Sequence, residues 1–543
     1  MLPPPALRER TRLFEALGRV FSVRFEARED VTATDLDALV VIGRRVPATA
    51  ALGLPVLEYV DAEGDVTEPG TTIEFAVSDG VDARLRGRHL RETALADVPD
   101  RLADGEYRAR DAAGSVWAVH AEGSRQTALL APNELGEGET LRARLSAGRF
   151  LALLPLVELL RRITDYESWA RPAPRAAFLF DDPNLRWPSY GYLRFTDLLR
   201  HARGHEYHAA IGLVPLDSRF VSKRAAQLFR DAPSHLSLAM HGNDHTYAEL
   251  AVDRPRHEAS ALFEQAVARI ERFERRTGLH VSRVMIPPHG LSSDKALDAM
   301  LGSRIEALCR APGWWRDWPL ERAGTAYWAM ADVSPSGAPI LGRHPLRDPR
   351  VLDEATLDLY LDQPSILYGH HYDLSEGYEV LACAAEWLNG FEGLTWGSCE
   401  AAARSNVMTC LEGDVLRVRS WTRTAIVSKP RGVRTIEVEL PAYERASADH
   451  LVCGEVTRTL ERDGTVLRAS FELADDEHAV ELRLERRAER PTERSRTSAR
   501  AAVRRGAGEL RDRVHPLVRK LGLEPTLRRL ERAHRARTRA RAR

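Results

Sequence analysis

Long apolar runs are missing from this chain of 543 residues. The best, FLALLPLVELL at 150–160, is eleven residues long and contains a proline and a glutamate, against the ~20 that a membrane-spanning helix needs. No span is expected. At the start, MLPPPALRERTRLFEALGRVF puts proline and charge where a signal peptide carries its apolar core, so export by a cleaved signal is not expected. Cysteine is scarce too: five, odd in number, without a CxxC pair and none before Cys309. That usage fits reduced thiols and a cytoplasmic location rather than a disulfide framework. Phosphate-binding P-loop, dinucleotide fingerprint and serine nucleophile elbow are all missing, which sets aside the enzyme classes built on them.

Charge is balanced at −1 but unevenly placed. Residues 491–543 hold 17 Lys or Arg against 5 Asp or Glu, leaving residues 1–490 at about −13. In GELRDRVHPLVRKLGLEPTL, the residues Leu510, Val514, Leu517, Val518 and Leu521 share one helical face with arginines opposite. A basic amphipathic helix of this kind suits a peripheral contact with anionic membrane or an acidic protein, or else a solvated tail. Specific nucleic-acid binding is not expected, since no aromatics interleave the basic run.

Four segments follow from composition and periodicity. Residues 1–168 read as an α/β domain, loosely flavodoxin-like or glutamine amidotransferase-like, although the amidotransferase cysteine is missing. A structural or substrate-presenting role is expected of it. Over 172–402 short apolar strands (RAAFLF, HAAIGLV, HLSLAMH, SRVMIPP, ALCRAPG, SILYGHH, GLTWGS) alternate with helices, the pattern of a distorted (β/α) barrel of about seven strands. Period-two alternation over 405–487 predicts a small β-sandwich-like appendage, and 488–543 form the Arg-rich, partly helical tail.

Chemistry-bearing residues collect at the ends of the central strands. AFLF ends in Asp181 and Asp182, HLSLAM ends in His241 with His245 four residues on, RVMI runs into Pro287, Pro288, His289 and Gly290, and SILYG ends in His370 and His371. In parallel sheets and barrels that edge is where ligands bind. Spacing alone decides nothing, because His201 and His205 repeat the interval inside a helix whose apolar face is made by other residues. Four equipped strand ends are much harder to obtain by chance than one pair.

The ordered set resembles the polysaccharide deacetylase superfamily, carbohydrate esterase family 4, over about residues 172–402. That resemblance implies a metal, usually zinc, held by Asp182, His241 and His245, with Asp181 as catalytic base and His370 as acid. His371 is the alternate acid, because strand register decides which of the two faces inward. Departures are Pro183 and Asn184 after the aspartates, Ile286 where the family has a base-orienting arginine, and His289 where it has an aromatic. Arg186 or Arg283 would then supply the guanidinium. Trp187 and Trp315, with Tyr190, Tyr192, Trp314 and Trp318, offer rings for stacking on a sugar or for a lid, and His289 and Pro288 would border the substrate.

Imidazole and carboxylate donors suit Zn2+, and three protein ligands leave a position open for water and substrate. The expected activity is metal-dependent hydrolysis of a C–N amide bond, foremost deacetylation of an N-acetylated sugar or glycan precursor. Two other readings remain: hydrolysis of another linear amide such as a ureide or formamide, and a non-catalytic carbohydrate- or partner-binding protein on the same fold.

Overall fold

The strand Arg175–Asp181 is buried along its whole length and sits between two parallel neighbours, Ala209–Leu213 and Ser365–Gly369. From it a curled sheet runs through Leu236–His241, Ser282–Ile286, Ala307–Arg310 and Pro339–Gly342, all parallel. One residue past Gly342 the chain resumes as the strand His344–Pro345, which pairs with Ser365–Gly369 on the other side. The pairings therefore run from Pro339–Gly342 through Arg175–Asp181 to His344–Pro345, and the chain itself joins those two strands at Arg343. The residues described in this computed structural model are 3–29, 35–43, 53–61, 70–93, 101–120, 125–137, 139–311, 328–443, 446, 449–473, 478–486 and 499–522. Trp314, Trp315 and Trp318 lie outside them.

Alternation along each strand sorts side chains between two apolar layers. Phe178, Phe180, Ile211, Leu238, Met240 and Leu367 pack outward against helices such as Phe195–Gly204, Arg256–Thr277 and Glu379–Asn389. Ala177, Leu179, Ala210, Ala239, Val284, Ala307, Leu341 and Ile366 point inward. The inner layer is rich in alanine, which leaves room at the strand ends. By the same parity Asp181 follows Leu179 inward, His241 follows Ala239, and Arg343 follows Leu341.

The N-terminal region departs from a doubly wound expectation. Its seven-stranded sheet has three parallel strands, Leu39–Ile42, Val56–Asp61 and Arg125–Leu130. Gly114–Val119, Glu106–Asp111, Thr71–Phe75 and His89–Glu92 continue it in antiparallel pairings. Parallel pairing needs a crossover of a dozen or more residues, whereas Asp111 turns straight into Gly114 and its carboxylate accepts from the Ala113 and Gly114 amides. Asp362 of the central region receives Arg171 at 2.8 Å and also binds Arg84 and Tyr166, tying the two regions together through buried charge.

After the central region, five- and four-stranded sheets enclose one core with Val418, Ile436, Val438, Phe471, Val480 and Leu482. The helix Ala499–Lys520 then returns to the central sheet. Among the described residues no helix is long and apolar enough to cross a membrane.

Candidate metal and catalytic site

Asp181 and Asp182 leave their strand in different directions. Asp181 is 3% exposed, and Arg343 donates from Nη1 to both its oxygens at 2.9 Å. Asp182 turns away because its φ is +84°, a region non-glycine residues seldom occupy. His245 (φ +54°) and His289 (φ +60°) share that rarity, and such strain of ~1–3 kcal/mol each gathers where geometry serves function.

The turn brings Asp182 Oδ1 to 3.1 Å from His245 Nε2 and 3.9 Å from His241 Nε2. One ligand atom from each of the three lies within 4.8 Å of the others. A tetrahedral ion with bonds of about 2.1 Å needs its ligands roughly 3.4 Å apart, so modest closure suffices. Tautomer chemistry agrees: His241 Nδ1 lies 3.1 Å from the Ile286 carbonyl, which can only accept, so that nitrogen carries the proton and Nε2 keeps its lone pair. Burial lowers the pKa of His241 and takes that of His245 down to about 3, against the pull of Asp182. Both rings are neutral at pH 7, the ligating form. Burial would raise the Asp182 carboxyl, but Arg505, His245, His241 and His370 hold it well below the usual range.

Glu249 builds the loop. Its carboxylate, 2% exposed, accepts the backbone N–H groups of Asn243, Asp244 and His245 at 2.9, 2.7 and 3.2 Å. Gly242 permits the close approach: at φ +62°, a Cβ there would stand 2.4 Å from Pro288 Cγ and 2.6 Å from Glu249 Oε2. Pro288 is thus buried against the loop, while the His289 ring lies between those of His245 and Tyr247, 5.3 and 5.0 Å away.

Strand parity separates the two late histidines. Leu367 packs outward and Tyr368 inward, so His370, still extended, follows Tyr368. His371 is turned outward, 3% exposed, among Tyr190, Tyr192 and Asp512.

Both expected substitutes for the base-orienting arginine are elsewhere. Arg283 alternates outward and binds Glu274 at 2.8 and 2.6 Å. Arg186 binds Glu509 at 2.8 Å and reaches Asp217 at 3.4 Å. The guanidinium on Asp181 is that of Arg343, whose only signal in the sequence is an arginine after the segment PILG. Trp187 is 62% exposed, whereas Tyr190 is buried with its hydroxyl on Asp512 at 2.9 Å. His201 and His205 stack on each other at the end of their helix, at 4.2 Å.

The tail is the largest correction. Its helix turns the arginine-bearing face, not the apolar one, onto the protein: Arg505 donates to Asp182 Oδ1 at 3.0 Å and to Asp217 at 2.8 Å. Leu510, Leu517 and Leu521 are left 64%, 57% and 61% exposed. Sequence periodicity identified the two faces but not that the helix docks on its own chain, because its partners, Asp182, Asn184, Arg186, Tyr190 and Asp217, come from distant segments.

No family model matches this chain, and no curated protein matches it. Solved structures do resemble it. A putative polysaccharide deacetylase from Mycobacterium smegmatis is 12% identical with a TM-score of 0.31, covering 43% of this chain and 90% of its own. A CE4 family pseudoenzyme from Bacillus anthracis is 14% identical with a TM-score of 0.26, over 43% of this chain and 67% of its own. Agd3, described as a novel carbohydrate deacetylase, is 9% identical with a TM-score of 0.42, over 87% of this chain and 96% of its own.

Proposed function

We propose that the chain is a metal-dependent hydrolase of C–N amide bonds, acting on an N-acetylated sugar or related glycan at the rim of a distorted (β/α) barrel. The observation that carries this reading is the gathering of Asp182, His241 and His245 within 4.8 Å, beside a buried Asp181 held by Arg343. Asp182, His241 and His245 would hold a divalent metal, with Zn2+ matching their donor set. When bound, that ion supplies a Lewis acid and brings the pKa of water near 7.

The residues of the chain do the rest. Asp181, held by Arg343 and outside the ligand set, accepts a proton from the attacking water. From the end of its own strand, His370 donates a proton to the departing nitrogen, which as a bare amide anion would be too basic to leave. A backbone N–H at His289 would steady the oxyanion, as preorganised donors do. Exposed Trp187 offers a stacking face at the entrance.

Elemental analysis is the direct test. Wild type should carry one zinc per chain, Asp182→Ala and His241→Ala none. Asp181→Asn should keep the metal but lose turnover on a panel of N-acetylated amino sugars and small linear amides. Full zinc retention in both ligand variants would defeat the assignment.

A further inference from the structure

The helix Ala499–Lys520 spends its polar side chains on the rim of the candidate site. Arg505, Glu509, Asp512 and Arg513 recur at helical spacing and reach Asp182 with Asp217, Arg186, Tyr190 and Asn184 respectively. Arg505 is 8% exposed, and its guanidinium sits on the oxygen of Asp182 that also faces both imidazoles. A fixed positive charge there opposes a cation held by the same carboxylate. The helix also covers rings a substrate would use, since Tyr190 bonds Asp512 and Tyr192 meets His515 at 3.2 Å.

Its attachment is built to be reversible. Ala501 is its only buried apolar residue, while Val503 is 72% exposed and Leu510 64%, so little apolar surface is lost on lifting it. Gly506, Gly508 and Pro516 all lie inside the helix and weaken it from within.

From this geometry we infer that the terminal helix is an intramolecular inhibitory strap, whose Arg505 and the metal ion compete for Asp182. This rests on the metal reading above. Linkage then requires reciprocity: the factor by which the docked helix weakens zinc is the factor by which zinc loosens the helix.

The test uses the full chain. Zinc affinity is measured by competition with a chromogenic chelator for wild type, Arg505→Ala and Arg513→Ala, with tryptic cleavage inside 499–522 followed with and without zinc. Arg513 does not touch Asp182, so its variant separates undocking of the helix from simple removal of a nearby charge. Both variants should bind zinc about 5–150-fold more tightly than wild type, and zinc should speed cleavage of the wild-type helix. Affinities within twofold of wild type in both variants, with cleavage indifferent to zinc, would overturn the strap and leave the metal site standing. If none of the three proteins binds zinc, the metal site itself fails and the competition goes with it.

Discussion

Arg343 Nη1 stands 2.9 Å from both carboxylate oxygens of Asp181, a residue 162 positions away, and both side chains are almost fully buried. The arginine lies at the kink between two short strands, where parity turns it inward. Arg343→Ala would leave a buried carboxylate unpaired, at a cost of about 3–5 kcal/mol. Urea unfolding should show that loss, and the double variant Arg343→Ala/Asp181→Ala should regain part of it. Additive losses in the double variant would mean that the two side chains do not interact.

The two neighbouring histidines should separate cleanly. His370→Ala is expected to reduce turnover by about 10²–10⁴ with zinc content unchanged. His371→Ala removes a ring packed beside Asp512 and should instead expose the terminal helix to trypsin. Equal loss of turnover in both, without a change in proteolysis, would contradict the division of roles.

Glu249 serves the candidate ligands at one remove, by holding three consecutive amides of their loop. Glu249→Ala should weaken zinc binding about 10–100-fold while far-UV circular dichroism stays the same. Unchanged affinity would show that the loop holds its shape without this carboxylate.

A pH dependence of stability is expected from His208, away from the site. Burial lowers its pKa to about 4, and its two ring nitrogens meet the Ser234 carbonyl at 2.9 Å and the Ser237 hydroxyl at 2.8 Å. The unfolded chain takes up this proton near pH 6.5 and the folded protein only near 4. Stability therefore falls as pH drops between those values, by up to roughly 3 kcal/mol at 1.36 kcal/mol per unit, and no further below. Urea titrations at pH 7 and 4.5 should show a smaller drop for His208→Gln than for wild type.

Much of the candidate site was legible because its residues sit at the ends of strands. An apolar run that stops in Asp-Asp or in His is a local pattern, and in a parallel sheet every such run stops at the same edge. Asp182, His241 and His245 thus stood among the candidates before any coordinates, and the family resemblance grouped them as a ligand set. The His370 and His371 choice was not legible at that level, since one residue of register reverses the facing of a strand. Nor was the N-terminal sheet, whose mostly antiparallel pairing no local pattern announced.

By itself the sequence determined most of the central strands, their charged ends and the two faces of the terminal helix, all of which follow from the period of the backbone over a few residues. Tertiary structure alone decided that Arg343 serves Asp181, that Glu249 braces the histidine loop, and that Arg505 arrives at Asp182 from 323 residues downstream. The reason is physical: a buried charge is satisfied by whichever opposite charge the fold delivers, and chain separation carries no trace of that meeting.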